Sequence, residues 1–291
     1  MRLIVYSASL LVLLANLQVP ALASPLSTGV PVLKPPATAK TRVLINKAVE
    51  PVTPVEEVKP PQGPLNKPRL HEGSKETYIK YFEEAINIES TDQAKADLLL
   101  TKCIEIDPSV SDAYHQRGLL RQKMGRRDEA IADFTRFIEL NPNVTAGYVN
   151  RGINISDSGD QQEAYKDFAK AVDINEKNAK AWLGIGMTYL RSGDAKGSLE
   201  YTSKAIALDP SDHWGWNNRA CAYGALHMYN KALADENKAI ELNPQFGHHY
   251  FKRGLIKKAL GNKAAMESDF ATARKLGFDV DGRLAQGQDH L

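Results

Sequence analysis

Small and apolar side chains, with a few polar replacements, recur at helical spacing along the chain between residues 111 and 277. Each of five segments has residues four and then three positions apart, which places them on one face of a helix. These stripes are Ala130, Phe134 and Phe137; Ala164, Phe168 and Ala171; Ser198, Thr202 and Ala205; Ala232, Glu236 and Ala239; and Met266, Phe270 and Ala273. The pattern predicts five helices that each turn one face toward a core.

A second helix is predicted ahead of each stripe. Aromatic motifs that read YHQRG, YVNRG, WLGIG, WNNRA and YFKRG start at Tyr114 and recur every 34 residues. Glycine follows each motif but the fourth, at Gly125, Gly159, Gly193 and Gly261, where a helix must end and turn. A 34-residue helical hairpin cannot bury its apolar face alone, so the units must stack on one another.

The repeating unit closely resembles the tetratricopeptide repeat. Its positions are an aromatic residue, Gly or Ala four residues on, Ala sixteen on, a bulky residue twenty on and Pro twenty-eight on. The resemblance implies an all-α fold, a right-handed α-solenoid of stacked helix-turn-helix hairpins. We number repeats 1 to 5 as residues 111–144, 145–178, 179–212, 213–246 and 247–277, preceded by a degenerate leading repeat at 75–110.

Residues 278–291 form a tail after repeat 5 and carry too few apolar residues for another hairpin. A solenoid needs a cap on its last open face. We therefore expect Phe278 and Leu284 to cover the final hairpin.

The N-terminus indicates export. Arg2 is followed by an apolar run from Leu3 to Leu17 and then by the small-residue pattern of Ala21-Leu22-Ala23. Residues 1–23 are therefore predicted to be a signal peptide that is cleaved before Ser24, which places the protein in the periplasm or outside the cell. A serine at this position excludes the bacterial lipoprotein signal. The alternative is an uncleaved membrane anchor.

Residues 24–74 are predicted to be a Pro-rich, disordered linker. They contain ten of the 15 prolines of the chain, and apolar residues occur singly. Such a segment cannot bury enough surface to offset its ordering entropy, so we expect an extended spacer.

The charge balance argues against a nucleic-acid partner, and the absence of known motifs argues against catalysis. Lys plus Arg number 37 against 35 Asp plus Glu, a net charge of +2, so there is no basic excess for a phosphate backbone. The two cysteines, Cys103 and Cys221, lie too far apart in the repeats to form a disulfide within the chain. Catalytic and metal-binding motifs are absent, so we predict no enzyme activity, no metal and no cofactor.

A recurring arginine has a matching aspartate sixteen residues later. We expect each pair to meet across the two helices of one repeat and to be structural. The pairs are Arg117 with Asp133, Arg151 with Asp167, Arg219 with Asp235, and Arg253 with Asp269. Repeat 3 has Ile185 and Tyr201 at these positions, where the family is usually apolar and aromatic.

The family resemblance implies a concave groove that is lined by the first helix of each repeat. Trp214 precedes the consensus aromatic Trp216 by two residues, so we expect Trp214 to face solvent and Trp216 to fill the core. The alternative is that Trp214 packs on the neighbouring hairpin. The predicted peptide-binding residues are Leu183, Met187, Trp214, Asn217, Asn218, Phe251 and Lys252.

These features together predict a non-catalytic protein–protein interaction scaffold of exported bacterial type. Its partner would be another protein or peptide, bound in the groove. The alternative is an inner-membrane-anchored component of an envelope assembly or transport complex, with the Pro-rich segment as a spacer.

Overall fold

A computed structural model of the protein describes residues 72–287, and the regular structure in this range is entirely helical. The predicted signal peptide, nearly all of the predicted linker and residues 288–291 lie outside the described residues. The first helix begins at Glu72, three residues before the predicted start of the leading repeat. The helices are α1 (Glu72–Ile88), α2 (Gln93–Ile106), α3 (Ser111–Lys123), α4 (Arg127–Leu140), α5 (Thr145–Asp157), α6 (Gln161–Ile174), α7 (Ala179–Arg191), α8 (Ala195–Leu208), α9 (His213–Ala225), α10 (Tyr229–Leu242), α11 (Gly247–Ala259), α12 (Lys263–Lys275) and α13 (Val280–Ala285).

The helix boundaries follow local turn chemistry. Several helices start after an Asp or Asn whose side chain accepts a backbone N–H of the first turn, as Asp194 does from Gly197 at 2.8 Å. The glycine between the two helices of repeat 3, Gly193, has φ +83°, which suits the left-handed region. Repeat 4 has His227 at this place, with φ +58°. Its turn therefore keeps the same backbone conformation with a less suitable residue.

The described residues fall into two compact units. The N-terminal unit, residues 72–158, contains α1 to α5, and the C-terminal unit, residues 159–287, contains α6 to α13. Within each unit, every helix packs against the next one along the chain, which is the hairpin stacking of a tetratricopeptide-repeat solenoid. Gly118 allows close packing inside a hairpin, because a Cβ there would lie 2.8 Å from the ring of Phe134.

The final hairpin is covered by the tail. Phe251, Phe270 and Val280 belong to one buried cluster, and Phe278 and Leu284 pack against it. The tail does not form another hairpin, but it includes the six-residue helix α13. Its apolar residues close the exposed face of repeat 5.

Bidentate ion pairs join the two helices within repeats 1, 4 and 5. Arg117 Nε and Nη2 donate to Asp133 at 3.0 and 2.7 Å, and all three aspartates are buried. The corresponding distances are 2.7 and 2.8 Å for Arg219 with Asp235, and 2.9 and 2.7 Å for Arg253 with Asp269. In repeat 2, Asp167 is buried on α6 and Arg151 contacts Thr135 of α4 at 3.2 Å.

Each of these arginines also reaches back to the preceding hairpin. Nη1 of Arg253, for example, donates to Asn237 Oδ1 at 2.9 Å. Position sixteen before the arginine is polar in every case, while repeat 3 has Ala169 there. The four acceptors are Thr101, Thr135, Ser203 and Asn237. The arginines of repeats 1, 4 and 5 therefore connect adjacent hairpins as well as the helices of their own hairpin.

Aromatic rings replace the ion pair in repeat 3. Tyr201 stacks on Trp182 with ring centroids 6.0 Å apart and also contacts Tyr189 at 4.9 Å. The cation that covers the consensus aromatic comes from α8, because Lys204 Nζ lies 3.7 Å from the ring centroid of Trp182. The position of Tyr201 thus has aromatic partners where the other repeats have an arginine.

Candidate functional site

The seven predicted peptide-binding residues all lie in the C-terminal unit, on α7, α9 and α11. Six of them are buried, whereas Lys252 is half-buried. Leu183 and Met187 lie on α7, whose residues from Ala181 to Tyr189 are all buried. A helix that is enclosed on every side cannot offer a wide binding face.

Trp214 is buried, so the expectation that it faces solvent is wrong. It is 4% exposed, and the ring of Phe246, at the end of repeat 4, lies 5.3 Å from it. The rings of His213 and His248 lie 5.2 and 5.8 Å away. The residues that enter α11 therefore cover Trp214, as the alternative interpretation supposed.

Trp216 is the partly exposed tryptophan, which reverses the predicted roles of the two residues. Its indole Nε1 donates to the carbonyl oxygen of Pro210 at 3.0 Å, and Arg219 lies over its ring at 4.9 Å. Trp182 and Tyr250 contact the corresponding turn residues, Glu176 and Pro244, in the same way. The consensus aromatic side chain thus holds the turn that precedes its own helix through a hydrogen bond to a backbone carbonyl oxygen.

Phe251 belongs to the core of repeat 5 and not to an open surface. It is 3% exposed, and its ring stacks on Phe270 at 5.4 Å. Phe278 covers it from the tail at 5.1 Å. Leu183, Met187, Trp214 and Phe251 can therefore form at most the floor of a site.

Asn217 takes part in a buried polar network that the sequence analysis missed. Its Nδ2 donates to both carboxylate oxygens of Glu236, at 3.0 and 3.3 Å. Glu236 Oε1 lies 2.9 Å from His249 Nδ1, and both residues are 0% exposed. His249 Nε2 then lies 2.8 Å from His213 Nδ1, and His213 Nε2 lies 3.2 Å from Asn243 Nδ2. The signal was a carboxylate, Glu236, at a stripe position where repeats 1, 2 and 5 have phenylalanine.

A small polar patch reaches the surface beside these buried rings. It consists of Asn218 and Cys221 on α9 and of His248 and Lys252 on α11, and we call it the α9–α11 patch. Asn218 is 9% exposed, and the other three are half-buried. Burial, followed by the ammonium of Lys252, holds the pKa of His248 well below its ordinary value. The imidazole is therefore neutral near pH 7, and Lys252 supplies the positive charge of the patch.

Between residues 72 and 287, no group of three or more His, Cys, Asp or Glu side chains is arranged to hold a metal ion. Nor does any helix in this range combine the length and the apolar character that crossing a bilayer requires. Both cysteines are free thiols.

Comparison with protein families identifies the repeat. The tetratricopeptide-repeat models match residues 111–144, 156–213 and 201–234. The first match coincides with repeat 1 as the sequence delimits it. No curated protein sequence matches the chain.

Solved structures share the fold at low sequence identity. The Cut9–Hcn1 hetero-tetramer of the APC/C aligns with a TM-score of 0.63 and 16% identity, over 69% of this chain and 40% of that one. PilF of Pseudomonas aeruginosa aligns with a TM-score of 0.57 and 16% identity, over 70% and 94% of the two chains. A tetratricopeptide repeat protein from Parabacteroides merdae gives 0.55 and 16%, over 72% and 87%. These likenesses concern the fold alone.

Proposed function

Because the chain is a tetratricopeptide-repeat protein, we propose that it is a non-catalytic scaffold that binds a segment of another protein. The α9–α11 patch is the proposed contact surface. The observation that carries this proposal is Lys252, a half-buried cation that makes no salt bridge with the described residues 72–287. By contrast, Lys257, five residues further along α11, is held by Asp269 at 2.7 Å.

The chemistry of the patch suits an extended segment with an acidic group. Lys252 offers an ammonium to a carboxylate, and the Asn218 amide can bind a backbone carbonyl or N–H. The buried ring of Trp214 lies 5.8 Å from that of His248, and Phe251, the neighbour of Lys252 in the chain, is also buried, so packed aromatic residues support the patch. Rigid aromatic support lowers the entropy cost of binding, because few side chains need to be ordered.

Photo-crosslinking of the full chain in the cells that produce it tests this surface. A photoreactive amino acid replaces Lys252 in one variant and Lys238 in the other. Lys238 is a matched control, since it lies on α10 and pairs with Glu241 on the exposed face of that helix. We expect discrete protein adducts at position 252 and none at position 238. Equal adducts at the two positions, or none at position 252, would contradict the proposal that the α9–α11 patch is the contact surface.

We also propose that the scaffold acts outside the cytoplasm. This rests on the apolar run from Leu3 to Leu17 and the small residues Ala21 and Ala23 that follow it. The anchored alternative shares the same apolar run. Mass spectrometry of the N-terminal peptide separates the two: a mature start at Ser24 supports an exported scaffold, and an intact N-terminus supports a membrane-anchored component.

A further inference from the structure

The contact between His213 and His249 can hold only one hydrogen atom. His249 Nε2 and His213 Nδ1 are 2.8 Å apart, which is a hydrogen-bond distance. One nitrogen must donate and the other must accept, because two N–H groups cannot face each other at this separation. Both rings therefore cannot be imidazolium cations while the contact exists.

We infer that His213 and His249 form an acid-sensitive latch that holds repeat 5 against repeat 4. The two rings come from the first turns of α9 and α11, so their contact joins two hairpins. It is enclosed, since His249 is 0% and His213 is 6% exposed. The inference concerns the cohesion of the repeats and does not depend on what the scaffold binds.

Proton counting gives the direction of the effect. In an opened or unfolded chain, each imidazole takes up a proton as the pH falls through about 6.5. The closed latch takes up at most one proton across the pair. The open state therefore binds more protons in acid, and lowering the pH favours it by up to about tenfold per pH unit for one proton.

The surroundings of the pair oppose a second proton. Burial, followed by the charge of His249, lowers the pKa of His213 to about 4. Because this folded value lies below that of the unfolded chain, the latch is complete above pH 6.5 and weakens as the pH falls from 6.5 toward 4.

Charged and titratable groups reach the pair from each neighbouring helix. Glu236 accepts from Asn217 and faces His249, so it can stabilise one proton on the pair. The positive charges of Lys252 and Arg283 act on the adjacent ring of His248 and disfavour its protonation. Asp212, which precedes α9, interacts electrostatically with His249, and His248 on α11 interacts with both rings of the pair. Further out, Lys180 and Asp209 act on Asp212, and Glu236 acts on Cys221 and Arg253.

Opening of the latch would uncover aromatic surface. The ring of Trp214, on α9, lies 5.9 Å from that of His249, 5.8 Å from that of His248 and 5.3 Å from that of Phe246, which precedes α11. Separation of α9 from α11 breaks these ring contacts together. The α9–α11 patch, which spans the same two helices, would lose its geometry at the same pH.

Nuclear magnetic resonance of the full chain counts the protons directly. Titration of the imidazole nitrogens from pH 8 to pH 5 should show at most one proton taken up by the His213–His249 pair while the repeats are closed. His227, which is exposed and lies outside the pair, serves as the internal reference. Uptake of two protons by the pair without opening would contradict the latch.

Hydrogen exchange locates the opening. Exchange of α11, residues 247–259, corrected for the intrinsic pH dependence, should rise as the pH falls below 6.5, by up to tenfold per unit. His213→Gln keeps an amide that can bond His249 but cannot become charged, so its exchange should change less than twofold between pH 7.5 and 5. The matched control His227→Gln should retain the full acid response. The same acid response in both variants would refute the inference, and if His213→Gln does not fold, the titration of the unsubstituted chain decides.

Discussion

Arg219 on α9 and Asp235 on α10 are joined by two parallel hydrogen bonds of 2.7 and 2.8 Å. This geometry matches the planar guanidinium fork to the carboxylate and fixes how the two helices of repeat 4 close. The two side chains are 18% and 8% exposed. The pair is therefore only weakly screened by solvent, unlike an exposed surface pair.

Removal of either partner should destabilise the protein. Arg219→Leu and Asp235→Asn are each expected to lower the free energy of unfolding by about 1–3 kcal/mol, because a largely buried charge loses its partner. Urea unfolding of the two single variants and of the double variant measures their coupling. Lys238→Met, which breaks an exposed pair with Glu241, is the control and should cost under about 0.5 kcal/mol. A coupling free energy of less than about 0.5 kcal/mol between Arg219 and Asp235 would show that their contact does not stabilise the protein.

The aromatic arrangement of repeat 3 should be transferable to repeat 4. Trp216 and Tyr223 occupy the positions of Trp182 and Tyr189, the rings that contact Tyr201 in repeat 3. Arg219→Ile combined with Asp235→Tyr should therefore recover most of the stability that Arg219→Ile alone removes, again by urea unfolding. The same exchange in repeat 1 is the control and should recover less, since Arg121 stands where Tyr189 does and binds Asp133 at 2.9 Å. Equal recovery in the two repeats would contradict the aromatic explanation.

Trp214 should contribute more to stability than Trp216. Trp214→Ala leaves a cavity among the rings of His213, Phe246 and His248 and is expected to cost about 3–5 kcal/mol. Trp216→Ala removes a partly exposed ring and one hydrogen bond and should cost less. Thermal unfolding of the two variants ranks their effects. A larger loss of stability for Trp216→Ala would show that Trp216, and not Trp214, is the main core tryptophan of repeat 4.

His227→Gly should stabilise the protein. The residue has φ +58°, a conformation that costs an L-residue other than glycine roughly 1–2 kcal/mol. The backbone entropy of glycine offsets part of the gain, so we expect an increase of about 0.5–1 kcal/mol in the free energy of unfolding. His227 also lies 2.7 Å from the Tyr229 hydroxyl, and Tyr229→Phe measures what that contact contributes. A destabilised His227→Gly variant alongside a neutral Tyr229→Phe would contradict the strain argument.

Deletion of residues 278–291 should destabilise repeat 5. Val280 is fully buried, and Phe278 packs on Phe251, so the deletion exposes an aromatic surface. We expect a lower melting temperature and a tendency to aggregate. Deletion of residues 288–291 alone is the control. An unchanged melting temperature for the longer deletion would mean that the tail does not act as a cap.

The repeat period, together with apolar spacing and turn residues, predicted the helices of repeats 1 to 5 and the turns between them. Apolar spacing, glycine and proline are local signals, and each helix needed only its own segment to be recognised. The polar residue sixteen positions before each arginine was equally visible in the sequence, and its absence at Ala169 coincides with the loss of the arginine. The contact of arginine with the preceding hairpin was therefore predictable, although it was missed.

The roles of Trp214 and Trp216 could not be assigned in this way. Helical periodicity gives the direction of a side chain, but burial depends on what the next hairpin places over it. Phe246, the last residue of repeat 4, and His248, at the start of repeat 5, cover Trp214. The same limit applies to Asn217. Its partner, Glu236, lies on another helix, and the spacing of the stripe residues does not show that the two side chains meet in the interior.

Repeat 3 has aromatic rings where repeats 4 and 5 have an ion pair, so the stability of these hairpins should depend differently on ionic strength. Dissolved salt weakens the mostly buried guanidinium–carboxylate pairs of repeats 4 and 5 to a small extent, but there is no net charge for it to screen between Tyr201 and Trp182. The hairpins of one unit therefore respond unequally to the same solution. In concentrated salt, we therefore expect a small loss of stability in repeats 4 and 5 that the Tyr201–Trp182 contact of repeat 3 does not share.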